Sequence, residues 1–325
     1  MQYKLVENTK HRSMFFILPF GENFDNLIEL QKSFARLCMH ISLVTPIFVF
    51  MSKELMPICY NLLPKHITYK QYEGKFVFFS DISMVLISNR IDQKQDYKIL
   101  NFDKNESAIS LYQCFVDNLE SNYRINSSNI ININNIKFSQ NEFSVNDEGV
   151  MFITQSLLSK NSLNKENLMK VLKDYGVKDI IVLPQKSNVP FVRFINNNNT
   201  LLIHREINKE SPFFNENINT LDSLKGILKL YDWKVIYLDA PNFDYGDNLI
   251  KKDQTNTELK LISYLDFIPT NERVIVPLLD PSKDNQVLNN FKNIFKDKDV
   301  CGVESLEFAK SNCSIRDFIY PIVRS

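Results

Sequence analysis

The sequence predicts an α/β fold in one domain over residues 1–325, assembled from five recurring helix-plus-strand units. Three observations predict it. Five segments carry apolar residues at helical spacing, starting near Leu27, Ala108, Lys165, Leu221 and Asp284. Most of them run soon into a short β-rich stretch. No Gly-, Ser- or Pro-rich linker divides the chain, and a unit of this size cannot bury its apolar face alone. Five such units suit a closed ring, and the pattern equally supports an open α/β sheet.

In chain order, Met14–Phe20 is an apolar run broken by Pro19, too short for a signal-peptide core. Leu27, Leu30, Phe34, Leu37 and Ile41 form a one-sided stripe at spacings of three and four, followed by the strand Pro46–Phe50. Leu111, Phe115 and Leu119 mark a second helix from Ala108 to Leu119. Val150–Thr154 reads as a strand. Asn164 can then cap a third helix bearing Leu168, Val171, Leu172 and Tyr175, which Gly176 ends in a left-handed conformation before the strand Ile180–Leu183. Asn196–Asn199 is a polar loop ahead of the strand Thr200–Ile203. A fourth helix is expected to follow Thr220, with Leu221, Leu224, Ile227, Leu228 and Tyr231 as its stripe and Trp233–Leu238 as its strand. Val274–Pro277 precedes a fifth helix after Ser282, carrying Val287, Leu288, Phe291, Ile294 and Phe295, and Val300–Val303 completes that unit. These stripes are read as core.

Composition narrows the function. Lys plus Arg and Asp plus Glu both number 38, so the net charge is zero, and the basic excess of a nucleic-acid binder is missing. No stretch reaches the roughly 20 apolar residues of a membrane helix. The cytoplasm is therefore the expected location, with neither nucleic acid nor membrane as a partner. The five cysteines lack CxxC spacing and read as free thiols in a reducing compartment. The four histidines form no HxH or HxxxH pair, so no metal or other cofactor is expected.

Several collinear segments resemble the agmatine deiminase family, also called the bacterial peptidyl-arginine deiminase-like family. FILPFGENFDNLIELQKSFARL is similar to that family's opening strand and helix. SVNDEGVMFITQSLLSKNSLNKENLMKVLKDYGVKDIIVLP resembles its strand, hairpin, helix and strand, and FVRFINNNNTLLI a later hairpin. SYLDFIPTNERVIVPLLDPSKDNQVLNNFKNIF and DVCGVESLEF resemble its C-terminal portion. The resemblance implies a five-bladed α/β propeller, the pentein fold, built from pseudo-fivefold ββαβ-like units with a site on the central axis. It also implies hydrolysis of a guanidinium carbon by a cysteine thiolate, with a histidine moving protons and carboxylates gripping the planar cation.

The chain departs from that chemistry at each motif the resemblance supplies. Where the family has Trp-x-Arg-Asp-x-Gly-Pro, Phe78–Met84 keeps only Asp81, either as a retained ligand contact or as a cap at a strand end. Where Glu-Gly-Gly is expected stands Ser139-Gln140-Asn141, with no carboxylate. The Asp-Gly-His-Val-Asp counterpart is Gln185–Val189, with Ser187 in place of His, Val189 in place of Asp, and Lys186 adding a positive charge. The C-terminal Gly-x-Leu/Ile-His-Cys-x-Thr corresponds to Cys313–Ile319, with Arg316 for His and Asp317 for the nucleophile. A four-residue change of register would instead make Cys313 the nucleophile. His204, the histidine nearest in sequence to the third motif, is expected beyond the strand Thr200–Ile203.

The expected function is thus a catalytically inactive agmatine-deiminase-like protein acting as a binding or scaffold subunit. The alternatives are a divergent enzyme with a remodelled axial pocket, and a true agmatine or arginine deiminase using Cys313. Asp81, Ser139, Lys186, Arg316 and Asp317 are the candidate ligand contacts, for a small molecule that the sequence does not identify. A homodimer, or association with an active relative, is the expected assembly.

Overall fold

The computed structural model describes residues 4–5, 11–21, 24–91, 94–123, 125, 127–187, 189–195, 199–246 and 259–323. Five sheets organise them. In each, one strand runs antiparallel to the next, and a helix then crosses over to a third strand that pairs in parallel. The crossover helices are α1 (Leu27–Ser42), α2 (Ile109–Tyr123), α3 (Lys165–Leu172), α4 (Phe214–Ile227) and α5 (Asp284–Ile294). The five sequence stripes thus become five ββαβ units.

The first unit borrows its first strand from the far end of the chain. Ile319–Val323 pairs antiparallel with His11–Ile17, with Ile319 opposite Phe16 and Tyr320 opposite Phe15. His11–Ile17 in turn pairs in parallel with Ile47–Met51. This pairing ties the two ends of the chain together and favours the ring over the open sheet.

Specific polar contacts lock neighbouring units together. The Phe194 amide donates to Ser144 Oγ at 2.8 Å, joining the third unit to the fourth. Arg193 is buried, and its guanidinium donates to the Leu265 and Phe267 carbonyls at 2.7 and 2.6 Å while stacking on the Phe267 ring, which joins the fourth to the fifth. Gln140 Nε2 donates to the Ile319 carbonyl at 2.9 Å, tying the third unit to the C-terminal strand. A buried arginine is tolerated here because backbone carbonyls accept from its Nη1 and an aromatic face covers the guanidinium plane.

Several local expectations are met. Asn164 Oδ1 accepts the Asn167 amide, and Gly176 adopts φ 84° at the end of the turn that follows α3. Two are corrected. The fourth crossover helix begins at Phe214, not after Thr220. Thr220 lies inside it, with its hydroxyl donating to the Glu216 carbonyl, while Asn217 is buried and bonds the Glu206 amide and His204 carbonyl. His204 belongs to the strand Thr200–Arg205 and does not lie beyond it. Of the polar loop Asn196–Asn199, only Asn199 falls within the described residues. No described helix is long and apolar enough to cross a membrane.

Candidate functional site

Three acids, of which Glu142 and Asp317 are buried and Asp81 half-buried, enter the site by the same local device. Asp81 lies on a single 3₁₀ turn, Phe79–Ile82, and accepts the Phe78 amide at 3.0 Å. Asp317 lies on the turn Ile315–Phe318 and accepts the Ser314 amide at 2.9 Å. Glu142 accepts the Ser139 amide at 2.8 Å. In each case a carboxylate closes on the backbone N–H three residues upstream, the capping geometry that satisfies a turn's free donor. The device fixes the acid at the mouth of a unit before the next strand begins.

All three line one cleft of about 200 Å³. Ser139, Ser187 and Val189 line it as well. So five of the sequence candidates, from four separate segments, meet in one place. Ser187 uses its hydroxyl on the Val189 carbonyl at 3.2 Å, and its amide donates to Glu216.

The cleft also contains lysines that motif comparison overlooked. Lys260 Nζ donates to Asp317 Oδ2 at 2.7 Å and lies 4.8 Å from the centre of the Phe78 ring. Its side chain is 30% exposed, that of Asp317 only 6%. Burial alone would lower the Lys260 pKa. The charge and hydrogen bond of Asp317, with Asp81 behind it, more than reverse this and hold the ammonium above the ordinary lysine range. Asp317 accepts further from Ser80 Oγ at 3.2 Å and Asn141 Nδ2 at 3.3 Å. Lys160 pairs with Glu142 in the same cleft. Burial raises the Asp81 carboxyl above its usual range, opposed by the charge of Lys260 and the Phe78 amide.

The remaining candidates lie elsewhere. Lys186 is exposed and does not line the cleft, although Glu216 accepts its backbone amide together with that of Ser187, which does. Arg316 does not line it either, and its charge acts on Asp266, whose carboxyl burial pushes up to about 6. Cys313 is 1% exposed, and its thiol donates to the Phe308 carbonyl at 3.2 Å. It borders a separate crevice of about 10 Å³, room for at most one water. Burial holds the thiol well above its ordinary pKa, so the reactive thiolate is disfavoured. His204 is buried with Nδ1 2.9 Å from Ser263 Oγ, and burial pulls its pKa down to about 3. No histidine lines the cleft among the described residues. The fallback pairing of Cys313 with a histidine therefore has no geometric basis among them.

Glu142 corrects one expectation. The Ser139-Gln140-Asn141 segment does bring a carboxylate to the cleft, one residue further along. The signal was present as Ser139-x-x-Glu142, a capping-box spacing. Lys260 had no comparable local signal.

No group of three or more His, Cys, Asp or Glu capable of holding a metal occurs among the described residues. What the cleft offers is three carboxylates, two of them ion-paired, with ammonium groups, hydroxyls and two side-chain amides. That is equipment for binding a polar molecule by charge and hydrogen bonds.

A family profile described as Porphyromonas-type peptidyl-arginine deiminase matches residues 4–316. A curated Enterococcus faecalis protein named "Putative agmatine deiminase" is 23% identical over 319 residues, covering 86% of this chain and 83% of its own. The solved agmatine deiminase of Enterococcus faecalis superposes with a TM-score of 0.81 at 18% identity, over 99% of this chain and 96% of that one. The agmatine deiminase of C. jejuni gives 0.79 at 18%, over 100% and 97%. A dimethylarginine dimethylaminohydrolase gives 0.54 at 12%, over 96% and 100%. These likenesses show the fold, the mixed α/β pentein architecture.

Proposed function

The chain belongs to the Porphyromonas-type peptidyl-arginine deiminase family, and we propose that it works there as a catalytically inactive binding or scaffold protein. The observation that carries this reading is the Lys260–Asp317 ion pair. A guanidinium substrate needs carboxylates free to accept its N–H donors. Here an internal ammonium already faces Asp317 and Asp81. An incoming guanidinium would have to displace Lys260 and leave that charge uncompensated, at a cost of several kcal/mol.

The attacking group is wanting as well. Asp317 occupies the sequence position of the nucleophile and accepts hydrogen bonds from Lys260, Ser314, Ser80 and Asn141. Cys313, the nearest thiol in sequence, is buried outside the cleft and protonated. Covalent catalysis requires an activated nucleophile beside a base, and among the described residues lining the cleft there is neither a thiol nor a histidine to fill these roles.

The test is turnover by the purified chain of agmatine, arginine and a peptidyl-arginine substrate, read as ammonia release. None is expected above the uncatalysed rate. Turnover abolished by Cys313→Ala or by Asp317→Asn would overturn the reading.

A further inference from the structure

Charge pairing in the cleft is uneven. Four lysines and three carboxylates line it. Lys160 is matched by Glu142 and Lys260 by Asp317. Asp81 is turned to the Phe78 amide and lies in the field of Lys260. Lys104 and Lys137 remain, and neither has a carboxylate partner among the described residues. Lys104 Nζ donates to Asn101 Oδ1 at 2.8 Å and the Phe102 carbonyl at 3.3 Å. Lys137 Nζ donates to Asn105 Oδ1 at 2.9 Å. Asp103, the acid whose charge acts on Lys104, accepts the Asn135 amide instead.

The Lys104 ammonium is held in place 3.9 Å from the centre of the Tyr112 ring. Partial burial lowers its pKa, with Asp103 opposing, so a positive charge is kept where solvation is incomplete. An anion would relieve that penalty. Two neutral groups add a second demand. The Ser139 hydroxyl has no hydrogen bond among the described residues. Asn141 Oδ1 is buried without a partner, because the amide nitrogen of that side chain is the atom turned to Asp317. An unpaired buried acceptor calls for a donor such as a hydroxyl.

We propose that the cleft binds a small hydroxylated dianion, a polyol phosphate or a hydroxy-dicarboxylate. Lys104 and Lys137 meet the negative charges, and Asn141 accepts from a ligand hydroxyl. Its volume of about 200 Å³ falls below the roughly 300–1,000 Å³ of pockets for drug-sized ligands, which selects a small metabolite. This inference rests on reading the cleft as a binding site and adds the class of its ligand.

The test is calorimetric titration of the full chain at low ionic strength with glycerol phosphate, malate and inorganic phosphate. One of the two hydroxylated dianions binds, and more tightly than inorganic phosphate. A glycerol phosphate response identifies the phosphate source, and a malate response the dicarboxylate. The double variant Lys104→Gln/Lys137→Gln binds at least about tenfold more weakly. The double variant Lys292→Gln/Lys296→Gln, at two exposed lysines in and just after α5, binds like the wild type and controls for net charge. Circular dichroism verifies that each variant is folded. No heat from either dianion at millimolar concentration overturns the proposal, as does unchanged affinity in the double variant. Inorganic phosphate binding as tightly as glycerol phosphate overturns the role of Asn141. Ammonia release from agmatine, assayed on the same sample, bears on catalytic inactivity alone. The two readings can therefore fail separately.

Discussion

Asp317 carries more donors than any other acid of the cleft, and its partners come from three distant parts of the chain and from its own turn. Lys260, Ser80 and Asn141 reach its side chain, while Ser314 supplies a backbone amide. An Asp317→Asn change removes the charge and leaves the Lys260 ammonium facing Asp81. A Lys260→Met change leaves a buried carboxylate with neutral donors. Each is expected to destabilise the protein by about 2–3 kcal/mol, below the 3–5 kcal/mol typical of a broken buried pair because Lys260 is 30% exposed. The double variant should cost less than the sum of the two, with a coupling of about 1–2 kcal/mol. Urea unfolding of the four proteins measures this. Strict additivity would mean that the two charges do not depend on one another, and would remove the internal cation from the account of the cleft.

At the scale of elements, the turns deserve as much credit as the helices. Gly149 has φ 87°, and its carbonyl accepts the Lys178 amide at 2.8 Å, where the end of the α3 segment returns to the sheet. A Cβ at position 149 would lie 2.2 Å from the Gly176 carbonyl oxygen. Gly149→Ala must both enter left-handed space and push that backbone away, so a loss of about 2–3 kcal/mol is expected. Gly226, inside α4, makes the contrast: a Cβ there meets nothing within 4 Å, and Gly226→Ala should stabilise by about 0.5–1 kcal/mol. Thermal unfolding of the two variants separates them, and equal midpoints would contradict both assignments. The same contrast explains what was legible in advance. Four crossover helices announced their starts through apolar stripes, α3 also through its Asn164 cap. The stripe of the fourth, beginning with Leu221 and Leu224, points to a start after Thr220, because the first two turns of α4 instead carry Asn217 and Thr220, which hydrogen-bond inside the fold. The acids of the cleft were partly legible, through Asp81, Asp317 and the overlooked Ser139-x-x-Glu142 spacing. Lys260 was not, since its partner is 57 residues away and only the assembled fold brings them together.

For the whole molecule, the decisive feature is that the last strand completes the first unit. Ile319–Val323 covers the edge of His11–Ile17 with a register running from Phe16–Ile319 towards the N-terminus. A chain ending at residue 318 would leave that edge open, and exposed edges pair with other chains. Truncation alone cannot separate loss of pairing from misfolding, so the closing contact is better probed at Tyr320. This residue is 1% exposed and packs its ring on Phe115 at 5.0 Å and on Phe79 at 6.4 Å, both from the second unit's approach to the core. Tyr320→Ala removes the ring from a filled interior and should cost about 3–5 kcal/mol. The hydroxyl behaves in the opposite sense. Tyr320 Oη is buried with no hydrogen-bond partner among the described residues, so it gives up hydration without recovering a bond. Tyr320→Phe is therefore expected to be neutral, or to stabilise by up to about 1 kcal/mol. Denaturant unfolding of both variants decides the matter: the ring holds the closure and the hydroxyl opposes it. A Phe variant as damaging as the Ala variant would show that the hydroxyl is what fastens the last strand, and the apolar account of ring closure would have to be given up.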